Sequence, residues 1–228
     1  MSGIIFHEKR SNLNDCYKAW GKVTLPTSSK MLYENPPTFV AYALFGCHCV
    51  NVGNFDAGIQ VCEKGVYKLC LNGGNALKKP WDEKPFSASG ESTLEVLISD
   101  KKVTLSAFNT TLSGEFNDNI WPFFNNNGVQ FWKEMTIGVG KDRVTDMWIS
   151  PNLERIQTVF MADLIFDEVT VKRKNNTECS LDDNCTITQG TPKLESGSTG
   201  SMPSWSQMRY GGVPTSGARN FFSIDCRP

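Results

Sequence analysis

Histidine supply limits nucleophilic catalysis in this chain of 228 residues, which holds two histidines, His7 and His48. A serine–histidine–aspartate relay would need one of them as its base. His7 falls in the opening segment and His48 in the apolar run "FVAYALFGCHCV", so neither is set up for that role. Carboxylates offer a second route. Glu134 and Asp146 could act as the acid and base of a glycoside hydrolase, although strand carboxylates are more simply solvated surface charges. Cys47-His48-Cys49 invites a metal reading. On a strand the two thiols share one face while the imidazole points the other way, so the three cannot ligate one ion. A four-cysteine zinc site with Cys62 and Cys70 lacks the usual short ligand spacing. "NGGNALKK" has no following helical pattern and no spaced Gly-Lys-Ser/Thr, so no phosphate loop is present. No residue is assigned a catalytic role.

Binding chemistry is better represented. In "VQFWKEMTIGVG", Val129, Phe131, Met135, Ile137 and Val139 share one strand parity and read as core. Gln130, Trp132, Glu134 and Thr136 share the other. An indole between amide and carboxylate groups can stack on the C–H face of a pyranose while its neighbours hold the hydroxyls. The bland alternative is an indole covered by loops. Trp20, between Lys18, Lys22 and Thr24, has the same status, and Trp148 is a further candidate. Just upstream, Asn125, Asn126 and Asn127 run into Gly128. These are ordinary turn residues, and as a loop beside Trp132 they would extend the contact surface. Asparagine carbonyls, with Asp118, Asp146, Asp182 and Asp183, are oxygen donors of the kind Ca²⁺ takes. No regular Ca²⁺-loop spacing joins them, so the reading is of no cofactor, with Ca²⁺ left open.

The elements that must carry these residues are strands. Amphipathic helical periods are missing and alternating runs recur. "CYKAWGKVTL" puts Tyr17, Ala19, Val23 and Leu25 on one face. "TFVAYALFGCHCVNV" is apolar on both faces, as a strand covered on both sides would be. "DAGIQVCEKGVYKLCLNGG" reads as a hairpin turning at Glu63-Lys64-Gly65. Val61 then faces Tyr67, Ile59 faces Leu69 and Ala57 faces Leu71, with Gln60, Cys62, Lys68 and Cys70 on the other side. "STLEVLISDKKVTLSAF" reads as a second hairpin turning at Asp100-Lys101. "RVTDMWIS" and "VFMADLIFDEVTVKR" follow as strands. Short strands with polar turns predict an all-β, antiparallel β-sandwich of jelly-roll type. Residues 1–15 read as an N-terminal extension, 16–174 as the sandwich, and 175–228 as an irregular Gly/Ser-rich tail packed on it.

Three of these stretches, "DAGIQVCEKGVYKLCLNGG", "LEVLISDKKVTLSAFN" and "ADLIFDEVTVKR", resemble the paired inner strands, apolar hairpin and closing strand of the concanavalin A-like, laminin-G-like jelly-roll superfamily. The likeness spans roughly residues 16–174 and lies at the level of fold. That superfamily includes lectins, glycoside hydrolases and alginate-type lyases, and the fold hosts binders and enzymes alike. The chain matches no catalytic motif of those enzymes, so the resemblance assigns no catalytic residue.

Charge and cysteine usage bound the partners. With 23 basic and 24 acidic residues the formal net charge is −1, which argues against nucleic acid. No apolar run approaches the roughly 18 residues of a membrane-spanning helix. Eight cysteines (Cys16, Cys47, Cys49, Cys62, Cys70, Cys179, Cys185 and Cys226) fit a disulfide framework, with four in the sandwich, four toward the termini, and Cys16 near Cys226. Sequons at Asn109, Asn175 and Asn184 fit glycosylation. Together they place the protein outside the cell or on its surface. The expectation is a non-catalytic, lectin-like recognition module in adhesion or host attachment. Its partner would be a glycan or glycoprotein, with an oligomer left open. A carbohydrate-active enzyme using Glu134 or Asp146 is the first alternative, and a subunit of a filament or shell the second.

Overall fold

The alternating runs become strands of two facing antiparallel sheets. The structure, a computed structural model, describes residues 3–27, 29–31, 39–63, 65–139, 159–181, 183–189, 193–194, 208–211 and 221–225. One sheet runs β7 (Trp81–Phe86), β6 (Val66–Asn72), β5 (Gly53–Glu63), β4 (Phe39–Cys49), β11 (Gln130–Val139) and β1 (Gly3–Ser11). Along the far side of β1 lie β14 (Cys185–Gln189) and β15 (Lys193–Leu194). The facing sheet runs β10 (Thr110–Glu115), β9 (Lys102–Ala107), β8 (Glu91–Ser99), β2 (Cys16–Thr24), β12 (Val159–Arg173), β17 (Phe221–Asp225) and β16 (Met208–Gly211). A short β13 (Glu178–Ser180) also pairs with β12, and β3 (Ser29–Met31) bridges β12 to β5.

Both hairpins have the expected register. Val61 faces Tyr67, Ile59 faces Leu69 and Ala57 faces Leu71. Ile98 faces Val103 and Val96 faces Leu105 across the turn at Asp100 and Lys101, both at positive φ. The core between the sheets takes Ala43, Phe45, Ile59, Leu69, Phe131 and Met135 from one side. From the other it takes Ala19, Val23, Leu94, Val96, Leu105 and Phe166. Phe45 and Phe166 meet edge-to-face across the gap at 5.1 Å. Strand parity also sends Lys133 into this core, where it is 1% exposed. Its ammonium donates to the Phe166 carbonyl and lies over that ring, so a buried cation is satisfied by a backbone acceptor and a π face.

The stretch read as an asparagine turn is instead a helix, α1 (Trp121–Asn127). Asparagine is a poor helix former, but the ends and the packing decide here. Pro122 sits in the first turn, where its fixed φ costs nothing. Gly128 ends the helix at φ 77°, and its N–H donates to the Phe124 carbonyl. Phe124 is buried against Phe116 and Phe55, at centroid distances of 4.7 and 6.1 Å.

Two segments read as peripheral are part of the sheets. Gly3–Ser11, placed in the extension, is a full strand between β11 and β14. The region read as an irregular tail supplies β13 to β17. The flanks of β1 and β12 expose unpaired backbone groups that any extended segment can complete. Runs as short as "CTITQ" and "FFSID" suffice for that, although they carry little periodicity of their own.

Asp15 and Arg173 tie the start of β2 to the end of β12. Arg173 Nε donates to both Asp15 carboxylate oxygens, at 2.8 and 3.1 Å. That hydrogen bond is the main cause holding the Asp15 carboxyl below its ordinary value of 3.8. A depressed carboxyl contributes stability above its unfolded value, and that contribution is lost as the pH falls through the folded value. Both side chains are about one-third exposed, so screening by solvent keeps the pair's contribution small. Arg173→Met should lower the urea midpoint at pH 7, and the gap to the wild type should close as the pH falls below 3.8.

Candidate functional site

The outer face of the first sheet, turned away from the core, gathers the reactive side chains in register. One cross-strand row reads Arg10, Trp132, Gly46, Asp56, Asn72 and Trp81. The next reads Glu8, Glu134, Leu44, Gly58, Cys70 and Glu83. A third carries Thr136, Tyr42, Gln60, Lys68 and Pro85. Strand alternation puts all three rows on one face. The same alternation sends Phe131, Lys133 and Met135 inward.

Two glycines shape the ground between the polar groups. A Cβ on Gly46 would stand 1.3 Å from Trp132 Nε1, so the indole lies across β4 in the direction of Asp56. A Cβ on Gly58 would meet the Ala43 carbonyl oxygen at 2.1 Å and Leu44 Cδ2 at 2.7 Å. Leu44 thus leans over β5 at that point. The Arg10 guanidinium carbon is 4.8 Å from the Trp132 ring centroid, and the His48 ring is 6.0 Å from it. The indole is therefore held by backbone, a cation and an imidazole together.

Carboxyl groups flank this ring. Glu134 is two residues along the strand from Trp132. Asp56 lies across β4 on the Trp132 row, with Asn72 Nδ2 donating to its Oδ2 at 3.1 Å. From strand spacing and rise, the Glu134 and Asp56 α-carbons are roughly 12 Å apart, so their side chains can lean over the same ground. Glu134 Oε1 is shielded from solvent. Gln60, 5% exposed, also keeps its Oε1 buried, and that oxygen accepts no hydrogen bond among the described residues. A buried orphan acceptor calls for an explanation. Around it, Val40, Tyr42, Leu44, Cys62 and Cys70 form an apolar cluster separate from the main core.

Of the residues expected to bind a ligand, Trp132, Gln130 and Glu134 share this face. Gln130 turns back, its Nε2 donating to the Ser11 carbonyl at 2.7 Å. Asn125, Asn126 and Asn127 are elsewhere, on the last turn of α1. Lys174 there donates to the Asn125 carbonyl, and Gly128 abuts Asp15. Trp20 is on the outer face of the other sheet, under Lys18, a full sandwich thickness from Trp132. Trp148 and Asp146 lie outside the described residues, as do Asp182 and Cys226.

Asp118 is committed to ion pairs with Lys101 and Lys78, and Asp183 is exposed. Among the described residues no three His, Cys, Asp or Glu side chains converge on a metal position. Cys47 faces the core while His48 points out, as the strand reading required. Cys16, Cys47, Cys49, Cys70 and Cys179 form no disulfide among the described residues. Burial pushes Cys47 and Cys70 well above the ordinary thiol value and Cys16 up to about 12, so these three stay protonated and unreactive. Cys185 is in β14. Of the sequon residues, Asn109 and Asn175 are exposed, whereas Asn184 Nδ2 donates to the Ser180 carbonyl.

Sequence reasoning missed Asp56, Tyr42, Glu8 and Arg10. The signal for Asp56 was present, since it shares strand parity with Gln60. Tyr42 was hidden in a run that is apolar on both faces, and Glu8 and Arg10 in a segment read as an extension.

No protein-family model and no curated protein sequence matches the chain. Solved structures do. One is Scytalido-glutamic peptidase with a peptide-based transition-state analog, at a TM-score of 0.58 and 12% identity over 98% of both chains. Another is SCP-B, a member of the Eqolisin family of peptidases, in complex with the tripeptide Ala-Ile-His, at 0.56 and 12% over 98% of both. A Scytalido-glutamic peptidase with a transition-state analog inhibitor matches at 0.50 and 13%, over 98% of this chain and 97% of that one. At this identity the likeness establishes a shared fold from end to end.

The β-sandwich implied by the jelly-roll resemblance is thus present. The reading of the chain as a carbohydrate-binding module of adhesion or host attachment is corrected, with its enzymatic and structural-subunit alternatives. The full-length likeness is to peptidases, whereas the earlier resemblance covered part of the chain. A physical reason accompanies it. The Trp132 ring lies over Gly46 and beneath Arg10, so it offers no open face for a sugar to stack on.

Proposed function

We propose that the chain hydrolyses peptide bonds, with Glu134 as the proton-transferring carboxylate and Asp56 as its partner. The observation that carries this reading is the pairing of a full-length fold likeness to glutamic peptidases with a glutamate in the second cross-strand row, one row from a second acid. A peptide laid along this sheet face beside the indole would present its carbonyl between the two groups. Ionised Glu134 takes a proton from water, and the water oxygen attacks the carbonyl carbon. Protonated Asp56 gives its proton to the carbonyl oxygen, leaving a neutral gem-diol. Glu134 then hands its proton to the amide nitrogen, the C–N bond breaks, and an amine and a carboxylic acid leave. A diol proton returns to Asp56. The scheme needs one ionised and one protonated carboxyl together, so the proposal expects activity on the acid side of neutrality. The buried Gln60 Oε1 is an acceptor that a substrate N–H can satisfy.

The test is peptide cleavage as a function of pH, comparing wild type with Asp56→Asn. The amide keeps the size of the side chain but cannot transfer a proton. We expect kcat to fall about 10²-fold or more, with unfolding midpoints close to wild type. An unchanged kcat would remove Asp56 from the reaction. An extracellular setting is part of the same proposal, supported by sequon residues Asn109 and Asn175 on exposed turns, where a glycan would disturb no packing.

A further inference from the structure

We infer that Arg10 forms a carboxylate-recognising subsite next to Glu134, so that the preferred peptide carries a carboxylate at that end of the site. The inference rests on the peptidase reading for its substrate and on the geometry of Arg10 for its chemistry. Arg10 Nε donates to Glu8 Oε1 at 2.8 Å. The guanidinium is laid over the Trp132 ring. Glu8 is nearly buried, its side chain 8% exposed, while that of Arg10 is 46% exposed.

The inner edge of the guanidinium is therefore engaged, and its plane is fixed by the indole. The edge carrying Nη1 and Nη2 has no partner among the described residues. A guanidinium held in this way loses little freedom on binding. Two parallel N–H donors match a carboxylate bidentately. Other cations nearby are turned away or taken. Lys9 and Lys133 have the opposite parity and are buried, and Lys68, at the other side of the sheet, is paired with Glu83. Glu8 faces Glu134 directly across β1 and β11, so the same ion pair places Arg10 beside the proposed reacting group. The carboxylate could be the α-carboxylate of a peptide C-terminus or an Asp or Glu side chain.

The experiment uses two matched peptide pairs at pH 5, one differing in a free versus amidated C-terminus, the other in Glu versus Gln. For wild type, Arg10→Met and Arg10→Lys, both kcat/KM and equilibrium binding by tryptophan fluorescence are read. Wild type should favour the carboxylate member of one pair by about tenfold, as a charge-assisted bidentate contact allows, and the favoured pair identifies the source. The ratio should fall to near one in Arg10→Met. Arg10→Lys should keep a part of it, as a point charge would. Binding that depends on the carboxylate and on Arg10, without any cleavage, supports the subsite and sinks the peptidase reading. Cleavage with equal ratios in wild type and Arg10→Met overturns the subsite and leaves that reading standing. No binding to any of the four peptides overturns the subsite.

Discussion

Glu134→Gln is expected to lower the rate of peptide cleavage about 10³-fold while leaving the fold intact. The substitution keeps the shape and one carbonyl oxygen of the side chain but removes its capacity to accept and return a proton. Positioned acid–base groups contribute 10²–10⁴-fold, and Glu134 is asked to act twice in the cycle, on water and on the leaving amine. Its neighbours across the sheet, Leu44 and Glu8, would still pack around it. The thermal midpoint should therefore stay within a few degrees of wild type. Cleavage at wild-type rate in a folded Glu134→Gln protein would show that another group performs the chemistry.

The second large effect is expected at Gly46. A single methyl there would sit 1.3 Å from Trp132 Nε1, so the indole must swing off β4. It would lose its contact with Arg10 and His48, and a clash of this kind costs about 1–3 kcal/mol. In a chain of 228 residues that corresponds to a drop of roughly 3–10 °C in Tm. The ring also shares its row with Asp56 and its strand with Glu134, so substrate placement suffers. We expect kcat/KM to fall about 10²-fold, the scale of an ångström-level misplacement. Trp132→Ala alone should leave a bare patch over Gly46. The double variant Gly46→Ala/Trp132→Ala removes the clash, so it should be more stable than the sum of the two single effects by about 1 kcal/mol or more. Additive stabilities would show that ring and glycine are not coupled.

Much of this arrangement was legible from strand parity. Alternation in "DAGIQVCEKGVYKLC" placed Gln60, Cys62, Lys68 and Cys70 on one outer face, and alternation in "VQFWKEM" did the same for Trp132 and Glu134. What alternation does not state is which strands are neighbours. Trp132 and Asp56 are 76 residues apart by number, and both touch the same row because β4 lies between β5 and β11. Nothing local encodes that order. The segments bearing Arg10 and Glu8 were misread for a related reason. The half of their strand that carries them reads "HEKR", with no apolar alternation, and it is held by partners on either side.

The helix at Trp121–Asn127 was missed for a different reason. The propensity of three asparagines favours a turn, and the burial of Phe124 against Phe116 and Phe55 overrides it. Lys133 makes the same point in reverse. Parity sent it inward, where composition would have kept it out. Trp132 was noticed for its parity, but its meaning changed once its surroundings were known. A ring lying on backbone and capped by a guanidinium is a fixed part of a site and does not serve as an open platform.

Digestion of an unbiased peptide mixture from pH 2 to pH 8, with products identified by mass spectrometry in ¹⁸O-labelled water, tests the central claim most directly. The account predicts internal peptide-bond cleavage that is strongest at acidic pH, with one heavy oxygen in each new carboxyl terminus and product formation about 10³-fold slower with the Glu134→Gln protein. Intact peptides at every pH, or products formed equally by wild type and Glu134→Gln, would contradict it.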